Sequence, residues 1–180
     1  VLAGTGINSG DGDVYKSTDY GDTWSKVEIG ETIERVYTIK KLDSGRVLIG
    51  TGIDVGDGDI YKSDDNGDTW TKVELGSVIF SSTIEDLGSG TVLAGANLSS
   101  NTGVIFKSTD YGDTWIQKTV GSGIEGVYVV KKLDSGRVLA GTGNDSGDGD
   151  IYKSDDNGET WTKIEIGQDI EYVVSLETIG

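Results

Sequence analysis

Carboxylates are the one plentiful reactive group in this chain: 31 Asp and Glu stand against 15 Lys and Arg, giving a net charge of -16, with no histidine and no cysteine. The two absences remove thiolate nucleophiles, disulfides, Ser-His couples and zinc sites built on Cys or His. What remains is chemistry that oxygen can do. A pair of carboxylates around a bound sugar hydrolyses a glycosidic bond, and such a pair is usually asymmetric. Glu85 and Asp86, in the divergent stretch 77–90, are the acids that best break the pattern of the rest of the chain. Their plainer reading is as solvated surface acids. No residue is assigned a catalytic role.

Two further carboxylate patterns recur. Gly10-Asp11-Gly12-Asp13 returns as Gly56-Asp57-Gly58-Asp59 and Gly147-Asp148-Gly149-Asp150. Hard oxygens among flexible glycines suit calcium, which makes Asp11, Asp13, Asp57, Asp59, Asp148 and Asp150 metal candidates. The spacing lacks the D-x-[DN]-x-[DN]-G and later Glu of an EF-hand loop, and a Gly-Asp turn explains it without an ion. The third pattern is S-x-D-x-G-x-T-W, found at Ser17 to Trp24, Ser63 to Trp70, Ser108 to Trp115 and Ser154 to Trp161. Here the chemistry is hydrogen bonding. Asp19, Asp65, Asp110 and Asp156 can fold back onto turn amides. Gly21, Gly67, Gly112 and Gly158 sit where a positive φ is expected. The hydroxyls of Ser17, Ser63, Ser108 and Ser154, and of Thr23, Thr69, Thr114 and Thr160, can bond across the turn, while Trp24, Trp70, Trp115 and Trp161 bury a ring and seek a partner for N–H. Four equivalent copies point to a structural role.

The elements that hold these turns follow from their spacing. The four tryptophans stand 46, 45 and 46 residues apart, a period of one supersecondary unit of about four short strands. In the second unit, β-branched and aromatic runs bounded by turn residues predict strands at Val36 to Leu42, Val47 to Gly52, Ile60 to Ser63 and Trp70 to Leu75, a four-stranded meander. Imperfect polar-apolar alternation fits strands covered on both faces. No stretch has a helical period of adequate length. A longer beat overlies the first: Lys40 to Leu48 reappears as Lys131 to Leu139, 91 residues on, and Asp-Tyr boxes at 19 and 110 alternate with Asp-Asn boxes at 65 and 156. The offset points to duplication of a two-repeat unit.

Charge and composition bound the partners. So acidic a surface repels phosphate backbones and anionic membranes, so neither nucleic acid nor membrane is expected. No apolar run approaches the roughly 18 residues that span a bilayer, and no signal-peptide pattern opens the chain. With no methionine, Val1 is not expected to be the natural start.

The four S-x-D-x-G-x-T-W boxes resemble the Asp-box, or bacterial neuraminidase repeat, of the β-propellers in sialidases, some glucan hydrolases and sortilin-like receptors. The resemblance covers all four repeats. It implies an all-β propeller of four-stranded antiparallel blades of about 45 residues, with each box on the turn between third and fourth strands. Residues 1–180 then form a single domain of four repeats, or a fragment of a larger array. In this phase the chain begins on a second strand, Val1 to Gly6, and ends on a first strand, Glu171 to Ile179, which can close the first blade. About three residues of turn are missing between Gly180 and Val1 for an unbroken array. Sialidase catalysis does not carry over: the family's three substrate-binding arginines are matched only by Arg35, Arg46 and Arg137, and its Arg-Ile-Pro element cannot exist without proline. Arg46 and Arg137 moreover fall on the box side, opposite the sialidase site.

Loops on the face opposite the boxes are where a ligand is expected. That rim carries Asn8, Asp54, Asn97 and Asn144, with Tyr37 and Tyr128 at one position of the inner strands, Tyr172 two residues earlier in its own strand, and Thr83 in their place in the divergent repeat. Asparagine, aspartate and tyrosine suit neutral glycans or a basic protein surface. The expected function is therefore a non-catalytic binding or scaffold propeller without cofactor, calcium apart. The alternatives are a fragment of a secreted Asp-box glycoside hydrolase with its catalytic residues on further blades, and an engineered or amplified repeat with no ligand. The family's habits imply an extracellular or cell-surface location. A further expectation is that two chains join as an eight-bladed homodimeric ring, since unclosed strand edges aggregate.

Overall fold

The computed structural model describes residues 1–6, 12–30, 33–52, 58–76, 78, 80–98, 103–143, 147 and 149–179. Those residues form antiparallel strands and no helix. The first blade holds β1 (Leu2–Gly4), β2 (Val14–Lys16) and β3 (Ser25–Val27). The second holds β4 (Arg35–Lys41), β5 (Val47–Gly52), β6 (Ile60–Ser63) and β7 (Thr71–Val73). The third holds β8 (Phe80–Gly88), β9 (Thr91–Asn97), β10 (Val104–Ser108) and β11 (Ile116–Thr119), and the fourth β12 (Gly126–Lys132), β13 (Val138–Gly143), β14 (Ile151–Ser154) and β15 (Thr162–Ile164). Each is a meander in which successive strands pair.

One bridge ties each blade to the next. Gly6 pairs with Arg35, Gly52 with Phe80, Asn97 with Gly126 and Gly143 with Tyr172, so every inner strand starts against the end of the preceding blade's second strand. This register fixes the repeat alignment: Arg35, Phe80, Gly126 and Tyr172 are equivalent. It puts Ser82, not Thr83, at the position of Tyr37 and Tyr128, where its Oγ donates to Val127 O at 2.6 Å. The inner strands carry a bulge between Val36 and Thr38, Ser81 and Thr83, and Val127 and Val129, which turns the following side chains.

The apolar side chains bury between blades. Ile49, Tyr61 and Val14 fill the first junction with Leu2 and Trp70 against them; Leu42, Leu48, Ile84 and Val92 fill the second with Trp115; Leu87, Leu93, Val130 and Val138 fill the third with Trp161. The tryptophan of each box thus covers the junction with the preceding blade. Trp24, whose blade comes first, remains 42% exposed. Both faces of β5 are covered, as its apolar run requires.

The terminal segment departs from the sequence expectation. Residues 171–179 form no ladder and do not complete the first blade, which keeps three strands. Instead Tyr172 bridges Gly143, and Val173 N donates to Thr142 O at 3.0 Å, so the start of the segment lies against the fourth blade in the place an inner strand would take.

Candidate functional site

The four boxes have one geometry. In each, the Ser Oγ donates to Asp Oδ1 at 2.7 to 2.8 Å and accepts from the Gly amide at 2.8 Å. The Thr amide reaches the same Asp Oδ1 at 2.8 to 2.9 Å, and its hydroxyl reaches Oδ2 at 2.5 to 2.6 Å. Donors that prefer a charged acceptor hold the carboxyls low. Asp19 is lowered to about 2, chiefly by the Thr23 hydroxyl and amide and the Ser17 hydroxyl. At Asp110 burial acts the other way, yet the Thr114 and Ser108 bonds prevail and it too falls to about 2. Asp65 and Asp156 lie lower still, held by Thr69 and Thr160.

Two features of the box were not visible in the motif. The residue before the glycine is itself left-handed: Tyr20, Asn66, Tyr111 and Asn157 have φ of 55 to 61°. The tryptophan N–H groups divide by box type. Trp24 and Trp115 Nε1 donate to Gly21 O and Gly112 O at 2.9 and 3.1 Å, whereas Trp70 and Trp161 Nε1 are buried without an acceptor among the described residues. The Asp-Tyr boxes satisfy their indole and the Asp-Asn boxes do not.

The box side also carries Arg46 and Arg137. Arg46 Nε pairs with Asp64 at 2.7 Å, and its Nη1 reaches Asp113 at 2.7 Å and Tyr111 O at 3.1 Å on the next blade. Asp64 first, then Asp113, raises its pKa further, so the group is a fixed cation committed to the junction.

Of the metal candidates, Asp11, Asp57 and Asp148 lie outside the described residues. Asp13, Asp59 and Asp150 are buried, and each pairs with a lysine on its blade's outermost strand: Lys26 at 2.8 Å, Lys72 at 2.8 Å and Lys163 at 2.6 Å. Their backbones close on Thr5, Thr51 and Thr142, whose hydroxyls donate to the Asp carbonyls at 3.0 to 3.1 Å. Burial pushes Asp59 up despite Lys72 and the Leu75 amide, while Lys72, more exposed, is raised by Asp59 and Glu74. Among the described residues no three metal-type ligands converge. These aspartates tie the second-to-third loop to the outer strand.

Glu85 and Asp86 are also engaged. Glu85 accepts from Lys40 Nζ at 2.6 Å and Lys132 N at 3.1 Å, and Asp86 from the amides of Asp43 and Gly88, both at 2.8 Å. They link three inner strands.

On the opposite face the inner strands bring four rings into a row. Tyr37 stacks on Phe80 with centroids 4.8 Å apart and 25° between planes. Phe80 lies 6.4 Å from Tyr128, and Tyr128 meets Tyr172 edge-on at 5.1 Å. Asn97 Nδ2 donates to Tyr128 Oη at 3.4 Å, and Arg35 to Tyr37 Oη at 3.3 Å. Asn97, Tyr37, Tyr128 and Tyr172 thus come together, while Asn8, Asp54 and Asn144 lie outside the described residues. Phe80 does not stand at the position of Tyr37 and Tyr128; the repeat register makes it equivalent to Tyr172, two repeats on. Glu34, Glu125 and Glu171 immediately precede the segments that carry Tyr37, Tyr128 and Tyr172 and bring carboxylates to this rim beside the Arg35 guanidinium.

The family model for the BNR/Asp-box repeat matches residues 152–163, the box of the fourth blade. An ancestral GH74 enzyme is 20% identical with a TM-score of 0.65, covering 91% of this chain and 22% of its own. NanB sialidase from Streptococcus pneumoniae gives 16% and 0.60, covering 84% and 27%. The alpha-L-arabinanase of Penicillium chrysogenum, complexed with arabinobiose, gives 18% and 0.56, covering 91% and 62%. Curated protein sequences give no match. Fold and repeat define an Asp-box β-propeller of the BNR type. The chain spans less than two thirds of each of these structures.

Proposed function

We propose that the chain is a non-catalytic binding module for neutral carbohydrate, using the face opposite the boxes. The row Tyr37, Phe80, Tyr128 and Tyr172 carries this reading. A sugar presents C–H faces to aromatic rings and hydroxyls to amides and carboxylates, and the row supplies rings flanked by Asn97 and acids. Rim carboxylates on a chain of net charge -16 disfavour anionic sugars and phosphates. The GH74, sialidase and arabinanase propellers of similar fold are glycan-active enzymes, which supports the ligand class and an extracellular or cell-surface location. The described carboxylates singled out for metal or catalysis are spent on lysines and amides, which supports binding without turnover and without calcium.

Titration calorimetry with arabinobiose and neutral gluco-oligosaccharides, with sialic acid as the anionic comparator, tests this. The neutral sugars bind and emerge intact by chromatography, and Tyr37→Ala and Tyr128→Ala each weaken binding about tenfold, as loss of roughly 1.4 kcal/mol of stacking implies. Released monosaccharide favours the hydrolase reading. Binding indifferent to both substitutions removes the proposed site.

A further inference from the structure

We propose that the two ends of the arc are complementary halves of one junction, and that a second copy of this chain occupies it, head to tail, closing a two-chain ring. The internal second-to-third junction shows what is needed. There Leu42, Leu48, Ile84 and Val92 pack together, and the third junction repeats the set as Leu87, Leu93, Val130 and Val138. Carried one repeat toward the head, the set reads Leu2, Ile39 and Val47 with one member absent, and Val1, Leu2, Ile39 and Val47 line an open cleft. By the bridge register the residue equivalent to Leu42 and Leu87 is Ile179. Leu42 is 3% exposed; Ile179 is 95% exposed. At the tail the same set reads Leu133, Leu139 and Leu176, each half-buried, and lacks only the equivalent of Val92, which is Val1, 66% exposed. Each end lacks what the other presents.

The polar contacts agree. Arg46 and Lys62 both reach Asp113 on the next blade. Their equivalents in the fourth blade are Arg137 and Lys153, and the equivalent of Asp113 in the first blade is Asp22. Among the described residues Arg137 pairs with Asp155 alone, and its side chain is 43% exposed against 15% for Arg46. Lys153 and the Asp22 carboxylate have no partner among the described residues. Leu48 sits 3.0 Å from the site of a Cβ on Gly112, and Leu2 and Leu93 seat likewise on Gly67 and Gly158. The fourth leucine, Leu139, has its seat at Gly21, where a Cβ would meet only Trp24. A tail-to-head junction also sets an Asp-Asn blade before an Asp-Tyr blade, as the second-to-third junction does, so the box alternation continues unbroken. The register is then fixed: Tyr172, Val173, Ser175 and Leu176 pair with Gly6, Thr5, Gly4 and Ala3 of the second copy, as Arg35, Val36, Thr38 and Ile39 pair with Gly52, Thr51, Gly50 and Ile49.

Light scattering on the eluting chain, over a range of concentrations, gives a mass near twice 19.0 kDa. Asp22→Arg and Arg137→Asp each set like charges together at both junctions and weaken pairing about tenfold. Mixed in equal amounts, the two variants regain opposite charges at both junctions and pair as the wild type does. Leu139→Asp, at a half-exposed position that leaves the blade's circular dichroism unchanged, weakens pairing in every mixture. A wild-type mass of 19.0 kDa at all concentrations overturns the proposal, since the ends are then met within one chain or by another occupant. So does a mixture of charge variants that stays apart while the wild type pairs.

Discussion

Ser17, Asp19 and Thr23 bond to one another and to the turn's own amides, so the box folds on local chemistry and its logic reads directly from sequence. Its pH dependence follows. Asp19 and Asp110 fall from 3.8 to about 2, so between those values the unfolded chain binds protons that the folded chain does not. The stability they contribute is present in full above the unfolded value and is lost as pH falls through about 2. Urea midpoints measured down this range drop steeply between about pH 4 and pH 2, and a midpoint flat across it contradicts the account. Less legible was the residue before the box glycine. Tyr20 is held left-handed with its ring fully exposed, while Asn, which tolerates that conformation, stands there in the second and fourth boxes. Tyr20→Asn raises the urea midpoint without changing the slope of the transition. The aspartates of the Gly-Asp loops misled for a different reason: Lys26, Lys72 and Lys163 lie 13 residues on, across a strand pair, and no motif records them.

Strands were legible where both partners of the ladder lie in the chain. The sequence bounds of β5 and β6 coincide with the observed ones, because Gly and the Ser of the box end them. Residues 171–179 have the composition of a strand but lack a second partner, and composition alone makes no ladder. Glycine in the box has a reason beyond its turn, which only packing reveals. Gly45 and Gly112 have φ of 92° and 89°, yet nothing lies within 4 Å of a Cβ on Gly45, whereas Leu48 lies 3.0 Å from one on Gly112. Gly45→Ala therefore costs about 1 to 2 kcal/mol for the left-handed backbone alone. Gly112→Ala costs more, because a buried leucine must also move. Equal losses by urea unfolding show that the box glycine is not a packing contact.

The whole chain is an arc of blades with two chemically distinct faces. One is crossed by boxes, arginines and ion pairs that tie blade to blade; the other gathers aromatic rings from successive inner strands. The first face was read from repeated motifs. The second was read in part, since Tyr37, Tyr128 and Tyr172 were visible as candidates, while Phe80 joined them only through a register that the bulges obscure. The central claim is that the aromatic face binds neutral sugar while the box face serves assembly. Its most direct test is NMR titration of the labelled chain with arabinobiose or the tightest-binding neutral gluco-oligosaccharide. The account predicts shifts confined to Tyr37, Phe80, Asn97, Tyr128 and Tyr172, with Arg46, Asp64 and Asp113 unmoved. Shifts centred on Arg46 and Asp113, or none at saturating sugar, contradict it.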